Sequence, residues 1–205
     1  MSHSAKRVPV AVLISGRGSN MTALIEAAHD PDYPAEIRLV ISNIPDAPGL
    51  ETARAAGIQT LTIDHRIFGK NREAHEHAID SALRDAGIEI VCLAGYMRLL
   101  TPFLTDAWSG RMLNIHPSLL PEFPGLHTHE RAIAAKASKH GCTIHLVTAG
   151  MDEGPVLAQA TVDVFPDDTP ESPAGRVLKE EHQPYPKTLS ALTRKNTNRP
   201  DRTVL

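Results

Sequence analysis

The main pattern along the chain is an alternation of short apolar runs with amphipathic segments. The first run, VPVAVLIS at residues 8–15, is apolar almost throughout and ends at a glycine turn. Such a run is typical of a strand buried on both faces of a parallel sheet. Comparable runs predict further strands at residues 36–42, 58–63, 88–94, 111–116, 142–148 and 156–165.

Apolar residues recur at helical spacing between these runs. A first helix is predicted directly after the glycine turn, with Ser19 or Asn20 as its N-terminal cap. The most regular helix covers residues 71–86 and is followed by Gly87 as a stop. Shorter helices are predicted at residues 47–56, 129–138 and 172–183.

The alternation of strands and helices predicts an α/β fold: an open, mostly parallel twisted sheet with helices on both faces. The last two strands follow each other without a helix, which predicts one antiparallel strand late in the chain. Pro184 and Pro186 are expected to end the last helix. We assign residues 1–190 to a single domain and residues 191–205 to a polar tail that is expected to fray.

The composition indicates a globular chain. Its 205 residues are 41% hydrophobic and 22% charged, enough to bury a core. The net charge of −3 gives no basis for general binding of nucleic acid, and no apolar run approaches the ~20 residues of a membrane helix. The N-terminal apolar run leads into the glycine turn without a cleavage site, so we interpret it as a strand and not as a signal peptide.

The cysteines and histidines give little support for a disulfide or a metal site. Two cysteines form no disulfide framework and no four-ligand pattern, which favours a reducing, cytoplasmic location. Of the eleven histidines, His75 and His77 are two apart on a predicted helix and point to different faces. His127 and His129 can share one face of an extended segment, but no further ligand joins them. We therefore expect no bound metal.

Three informative segments follow predicted strands, where open α/β sheets bind ligands. SGRGSN at residues 15–20 is a glycine turn that opens a helix, as a phosphate site requires, although a plain tight turn is the alternative. It matches neither the ATP-binding nor the dinucleotide-binding glycine motif, which favours a phosphomonoester. AGYMRLL at residues 94–100 forms either a cover over the sheet's end or one wall of an apolar pocket for a flat heterocycle.

The third segment, NIHPS, places Asn114 and His116 on the same face of a strand. Two polar donors aimed together suit an oxyanion site for acyl transfer, with His116 also able to act as a general acid. Asp152 in the turn MDEGP would favour the charged form of His116. The alternatives are hydrogen bonds to neighbouring backbone and a conformational role for the aspartate. Neither a serine nucleophile motif nor a reactive cysteine is evident, so we expect direct transfer.

In this order ISGRGSN, LAGYMRLL, NIHPSLLPEFPGLHTH and MDEGPVL resemble the phosphoribosylglycinamide formyltransferases, over about residues 8–186. The wider group of folate-dependent formyl transferases and hydrolases shares an Asn, His, Asp trio, which falls on Asn114, His116 and Asp152. The resemblance implies a Rossmann-like formyltransferase fold and a step of purine (IMP) synthesis. The amine of glycinamide ribonucleotide attacks 10-formyltetrahydrofolate, giving formylglycinamide ribonucleotide and tetrahydrofolate. Asn114 and protonated His116 would stabilise the oxyanion, and Asp152 would keep His116 charged and help to relay the proton.

The resemblance also implies which residues bind the substrates. The ribonucleotide phosphate and ribose would contact Gly18, Ser19, Asn20 and Glu181. The folate would contact Arg72, Met97, Arg98, Leu99, Leu100 and Asn114. The implied partners are these small molecules, with 10-formyltetrahydrofolate as a co-substrate, no permanently bound cofactor, no nucleic acid and no membrane, in a monomer or homodimer. Many relatives carry a polar or basic residue at Leu178, which Lys179 adjoins here.

Two alternatives remain at this stage. Formyltetrahydrofolate deformylase and methionyl-tRNA formyltransferase use related chemistry, but they usually carry an extra domain. A non-catalytic module that binds sugar phosphates would need SGRGSN but would have no use for the Asn, His, Asp trio. We also expect the prolines after His116 to stiffen their loop, and residues 125–129 to move as a lid over the phosphate side.

Overall fold

Seven strands form a single sheet in the computed structural model of the chain, which describes residues 7–197. They are β1 (Val8–Ile14), β2 (Ala35–Ser42), β3 (Gln59–Thr62), β4 (Ile90–Leu93), β5 (Met112–His116), β6 (Lys139–Leu146) and β7 (Val156–Asp163). Their order across the sheet is β3-β2-β1-β4-β5-β6-β7. All adjacent pairs from β3 to β5 are parallel, whereas β6 runs antiparallel to both β5 and β7. The predicted α/β class with one antiparallel strand late in the chain is confirmed.

Helices cover both faces of this sheet. They are α1 (Ser19–Ala28), α2 (Pro48–Ala55), α3 (Arg72–Asp85), α4 (Pro102–Ala107), α5 (Thr128–Ala134), α6 (Glu171–Glu181) and α7 (Pro184–Thr197), with a 3-10 helix at His65–Phe68. Leu24 of α1, Leu50 of α2 and Tyr185 of α7 are buried on one face. Leu83 of α3 and Trp108 are buried on the other. Each fully buried side chain of this size contributes about 1.5–3 kcal/mol, so both layers are needed to stabilise the sheet.

The end of the chain differs from the prediction. Helix α6 ends at Glu181, before the two prolines as expected, but it is not the last helix, because a further helix, α7, begins at Pro184. Both prolines lie in the first turn of α7, where an amide N–H has no intrahelical partner and its loss is tolerated. Helix α7 also includes residues 191–197 of the segment predicted as a frayed tail, and residues 198–205 lie outside the described part.

The strand order places a switch point between β1 and β4. The chain proceeds from β1 to β2 and β3 on one side and then crosses back to β4 on the other side of β1. Ligands of open α/β sheets bind beyond the carboxyl ends of the strands at such a point. The register aligns Leu13, Leu93 and Asn114 in one row, so the segments that follow these three strands emerge side by side.

The described residues also bear on membrane insertion, metal binding and cysteine reactivity. Between residues 7 and 197 no helix is long and apolar enough to cross a membrane, and no group of three or more potential ligands could hold a metal ion. Cys92 and Cys142 are both buried with free thiols, and burial raises the pKa of each to about 12. Neither thiol is therefore suited to act as a nucleophile near neutral pH.

Candidate active site

The turn after β1 leaves the N-terminus of α1 open. Gly18 is the N-cap residue, with φ at 69° in the left-handed region, and no side chain caps the helix. The prediction of a cap by Ser19 or Asn20 is wrong, because the turn at Gly18 places both residues inside the first helical turn. First-turn N–H groups lack partners within the helix and carry the positive end of its dipole. This geometry suits an anion such as a phosphate.

A buried polar pair closes one side of the same turn. The Nδ2 of Asn20 donates to the Oε2 of Glu181 at 2.7 Å, and the two residues are 8% and 5% exposed. Burial raises the pKa of Glu181, and the hydrogen bond from Asn20 opposes that rise. The Oδ1 of Asn20 is buried without a partner among the described residues. The structure thus brings Glu181 from the end of α6 to the predicted phosphate turn, and the pair retains hydrogen-bonding capacity.

The segment after β4 lies directly beside the segment after β1. The main-chain N–H of Ser15 donates to the carbonyl of Gly95 at 3.2 Å, and the N–H of Met97 donates to the Oγ of Ser15 at 2.8 Å. Met97 and Leu99 are 68% and 56% exposed, which leaves an apolar surface at the carboxyl edge of the sheet.

The other residues predicted to bind folate differ in their exposure to solvent. Arg98 and Leu100 are half-buried in the same segment as Met97 and Leu99. Arg72 is exposed at the first residue of α3.

The side chain of His116 lies between two oxygen atoms. Its Nδ1 is 3.4 Å from the Oδ2 of Asp152, and its Nε2 is 3.0 Å from the carbonyl oxygen of Phe123. The residue is only 5% exposed. A neutral imidazole has one N–H and can donate to one of these oxygens, whereas the charged ring can donate to both.

Asp152 is fixed in the connection between β6 and β7. It adopts a left-handed conformation with φ at 55°, which aspartate tolerates better than most residues. Its Oδ2 accepts the main-chain N–H of Gly125 at 2.8 Å, which ties the proline-rich loop to the same carboxylate. A Cβ on Gly154 would lie 1.7 Å from the carbonyl oxygen of Leu146, so this tight turn requires a glycine there.

His145 belongs to this cluster, although the sequence did not single it out. It lies directly opposite Asn114 in the β5–β6 register, with its Nε2 3.2 Å from the Nδ2 of Asn114. Its Nδ1 is 3.0 Å from the carbonyl of Leu146, and its Nε2 is 3.7 Å from the Oδ1 of Asp152. Burial lowers the pKa of His145, although the Leu146 carbonyl and Asp152 oppose this. A neutral ring protonated at Nδ1 donates to Leu146 and accepts a hydrogen bond from Asn114.

The predicted trio therefore converges. Asn114 and His116 extend from one strand towards Asp152, and His145 supplies a further contact to both Asn114 and Asp152. The amide of Asn114 has two N–H groups, and the contact with His145 accounts for one. The second N–H of Asn114 and a ring N–H of His116 can stabilise a developing negative charge, as oxyanion donors do.

Comparisons with known proteins show which family the chain belongs to. The chain matches the family described as formyl transferase over residues 8–189. It is 44% identical to the phosphoribosylglycinamide formyltransferase of Escherichia coli, over 88% of this chain and 85% of that protein. The crystal structure of the phosphoribosylglycinamide formyltransferase from Brucella melitensis is 54% identical, with a TM-score of 0.87, over 92% of this chain and 96% of that chain.

Some relatives are much longer than this chain. The trifunctional purine biosynthetic protein adenosine-3 of Drosophila melanogaster is 44% identical over 92% of this chain. The chain spans only 14% of the length of that protein. The similarity to the trifunctional relatives therefore concerns one segment of each of them.

Proposed function

The chain belongs to the formyl transferase family, and we propose that it transfers the formyl group of 10-formyltetrahydrofolate to the amine of glycinamide ribonucleotide. The products are formylglycinamide ribonucleotide and tetrahydrofolate, in the synthesis of purines. The observation that carries this proposal is the cluster of Asn114, His116 and Asp152 at the end of β5, one strand away from an open apolar segment. The relatives from Escherichia coli and Brucella melitensis match most of this chain, and their name, phosphoribosylglycinamide formyltransferase, supports the same reaction.

The proposed reaction begins when the amine nitrogen of the ribonucleotide attacks the formyl carbon. The carbonyl oxygen gains a negative charge as the tetrahedral intermediate forms. The free N–H of Asn114 and a ring N–H of His116 stabilise this charge, and such a donor contributes about 10²–10³-fold to the rate. Because Phe123 holds the Nε2 of His116 at 3.0 Å, a substrate that uses this N–H must share or replace that hydrogen bond.

The intermediate then collapses. The bond between the formyl carbon and the folate nitrogen breaks, and its electron pair stays on that nitrogen. The proton lost by the attacking amine reaches the folate nitrogen, with the His116–Asp152 pair as the relay. Asp152 serves this step because its carboxylate lies beside His116 and can take up a proton from the ring or stabilise the ring's positive charge.

The order of the strands indicates where each of the two substrates binds. The ribonucleotide phosphate binds the open helix terminus at Gly18, Ser19 and Asn20, and the ribose contacts Glu181. The folate ring binds along the segment that contains Met97, Arg98, Leu99 and Leu100, near Asn114, with Arg72 on the outer side. Two adjacent binding segments bring amine and formyl group together, and such proximity accounts for much of the rate of a transfer reaction.

Identification of the product tests the proposal. Purified protein is mixed with 10-formyltetrahydrofolate and glycinamide ribonucleotide, and the ribonucleotide is analysed by mass spectrometry. We expect formylglycinamide ribonucleotide, formed at least about 100-fold more slowly by the Asn114→Ala variant. Absence of the formylated ribonucleotide with the unmodified protein contradicts the proposal. A cytoplasmic location and a monomeric or homodimeric state stay predictions.

A further inference from the structure

Helix α3 contains a buried carboxylate that the proposed reaction does not use. Glu76 is 2% exposed, on the face of the sheet that α3 and α4 cover. No lysine or arginine nitrogen among residues 7–197 lies within 4.0 Å of it in an ion pair. Burying a carboxylate is unfavourable unless hydrogen bonds replace its lost water. The hydrogen-bond partners of Glu76 therefore indicate the role of this buried carboxylate.

Both carboxylate oxygens of Glu76 bind a single residue. The main-chain N–H of Thr101 donates to Oε1 at 2.7 Å, and the hydroxyl of Thr101 donates to Oε2 at 2.5 Å. Thr101 is the N-cap residue of α4, where a threonine side chain usually accepts an N–H of the helix. Here it makes no capping bond. The hydroxyl is directed to Glu76 instead, so this contact outweighs the usual cap.

Thr101 ends the segment proposed to bind the folate ring. Ser15 fixes the other end of the segment through Gly95 and Met97. Between the two anchors, the main-chain N–H and C=O groups of residues 98–100 have no hydrogen-bond partner within the described part of the chain. Three consecutive residues with free donors and acceptors form an edge that a flat, polar ring can pair with.

We propose that Glu76 is a positioning residue for the folate co-substrate, because it holds Thr101 and thereby sets the frame of residues 98–100. This inference rests on the proposed function. Arg72, which is expected to meet the folate, lies one helical turn before Glu76 on α3, so the same helix supports both parts of the folate site. The ribonucleotide end of the cleft is built from α1 and α6 and does not depend on this contact.

The test compares three variants of α3. Glu76→Ala removes both acceptors. Glu76→Gln keeps an oxygen for the Thr101 N–H and an amide that can donate to its hydroxyl. Glu73→Ala is the matched control, because Glu73 is an exposed glutamate on the same helix. Binding of tetrahydrofolate is measured by calorimetry, and KM for each substrate and kcat are measured in the transfer assay.

We expect Glu76→Ala to weaken tetrahydrofolate binding and to raise KM for the formyl folate about tenfold, with KM for the ribonucleotide changed less than about twofold. Glu76→Gln should recover most of the affinity, and Glu73→Ala should match the unmodified protein. If Glu76→Ala does not fold, Thr101→Val, which removes only the hydroxyl donor, should still raise the folate KM about threefold.

Two results overturn the inference, and they are distinguishable from failure of the function. Glu76→Ala with lower thermal stability but unchanged folate affinity and KM means that Glu76 acts on the fold alone. Equal changes in KM for both substrates mean that it has no selective effect on the folate side. If the unmodified protein neither binds tetrahydrofolate nor transfers a formyl group, the proposed function fails together with this inference.

Discussion

The contact between His145 and Asn114 makes a prediction that can be tested quantitatively. Replacing His145 with alanine removes the ring nitrogen that lies 3.2 Å from the amide nitrogen of Asn114. The amide then loses the contact that favours one of its two orientations, and in the other orientation its oxygen faces the developing oxyanion. We therefore expect kcat to fall, with KM for both substrates little changed, since His145 is not among the proposed substrate contacts.

The size of this loss lies between two bounds. One net hydrogen bond of about 0.5–1.5 kcal/mol corresponds to a twofold to roughly tenfold change in rate. Loss of a whole oxyanion donor, as in Asn114→Ala, corresponds to about 10²–10³-fold. We expect His145→Ala to be about tenfold slower. In a background that already carries Asn114→Ala, the same change should have almost no further effect, because the amide that His145 orients is absent.

The assay is formyl transfer at saturating concentrations of both substrates, with the four proteins of this double-mutant cycle. His145→Gln is the control, because glutamine can again place an acceptor near Asn114. Truncation of His145, which is 3% exposed, leaves a cavity that can destabilise the fold. Thermal unfolding of each variant therefore shows whether loss of folded protein causes the lower rate. Additive effects of the two alanine substitutions, or a loss with His145→Ala as large as with Asn114→Ala, refute the reasoning.

Three further predictions concern other parts of the molecule. His116→Asn should lower kcat at least about 100-fold with little change in folate affinity, and equal losses in both contradict its role at the reacting atoms. Gly18→Ala should raise KM for the ribonucleotide severalfold, because Gly18 adjoins the open helix terminus. Gly57→Ala is the control and should leave this KM unchanged, since Gly57 has a similar φ (74° against 69°) but lies away from that terminus. Equal KM values for the two variants contradict the phosphate site. Burial lowers the pKa of His140 from 6.5 to about 4, so the unfolded chain takes up this proton first and stability falls as the pH drops from 6.5 towards 4. Urea unfolding should show about 2 kcal/mol lost from this group between pH 7 and pH 5, and His140→Gln should lack that part; an equal loss in the variant contradicts the assignment.

The sheet and the places where ligands are expected were predictable from local patterns. All of the run VPVAVLIS except its final serine forms β1, which is buried along its whole length, as a central parallel strand should be. The three polar segments were assigned to strand ends because glycines or a change to polar residues interrupt each apolar run. Parallel neighbours then bring those ends to one edge of the sheet, which follows from topology without any side-chain detail.

The parts that escaped prediction depend on contacts between distant segments. Helix α4 is only six residues long, too short to show a helical period. His145 gains its role because β6 pairs with β5 in a register that sets it opposite Asn114, which the sequence CTIHLVT does not reveal. Glu76 resembles any charged residue of an amphipathic helix until Thr101 is seen to approach it. The prediction of the N-cap was wrong because Gly18, and not a residue with a polar side chain, occupies the N-cap position of α1.

The dependence of folate release on the ribonucleotide tests the central claim most directly. The protein is mixed with 10-formyltetrahydrofolate, and the release of tetrahydrofolate is followed by absorbance with and without glycinamide ribonucleotide. We predict turnover only when the ribonucleotide is present, because its amine is the nucleophile. Release at the same rate without it would mean that water attacks the formyl group, and the assignment of Gly18, Ser19 and Asn20 to a substrate phosphate would have to be abandoned.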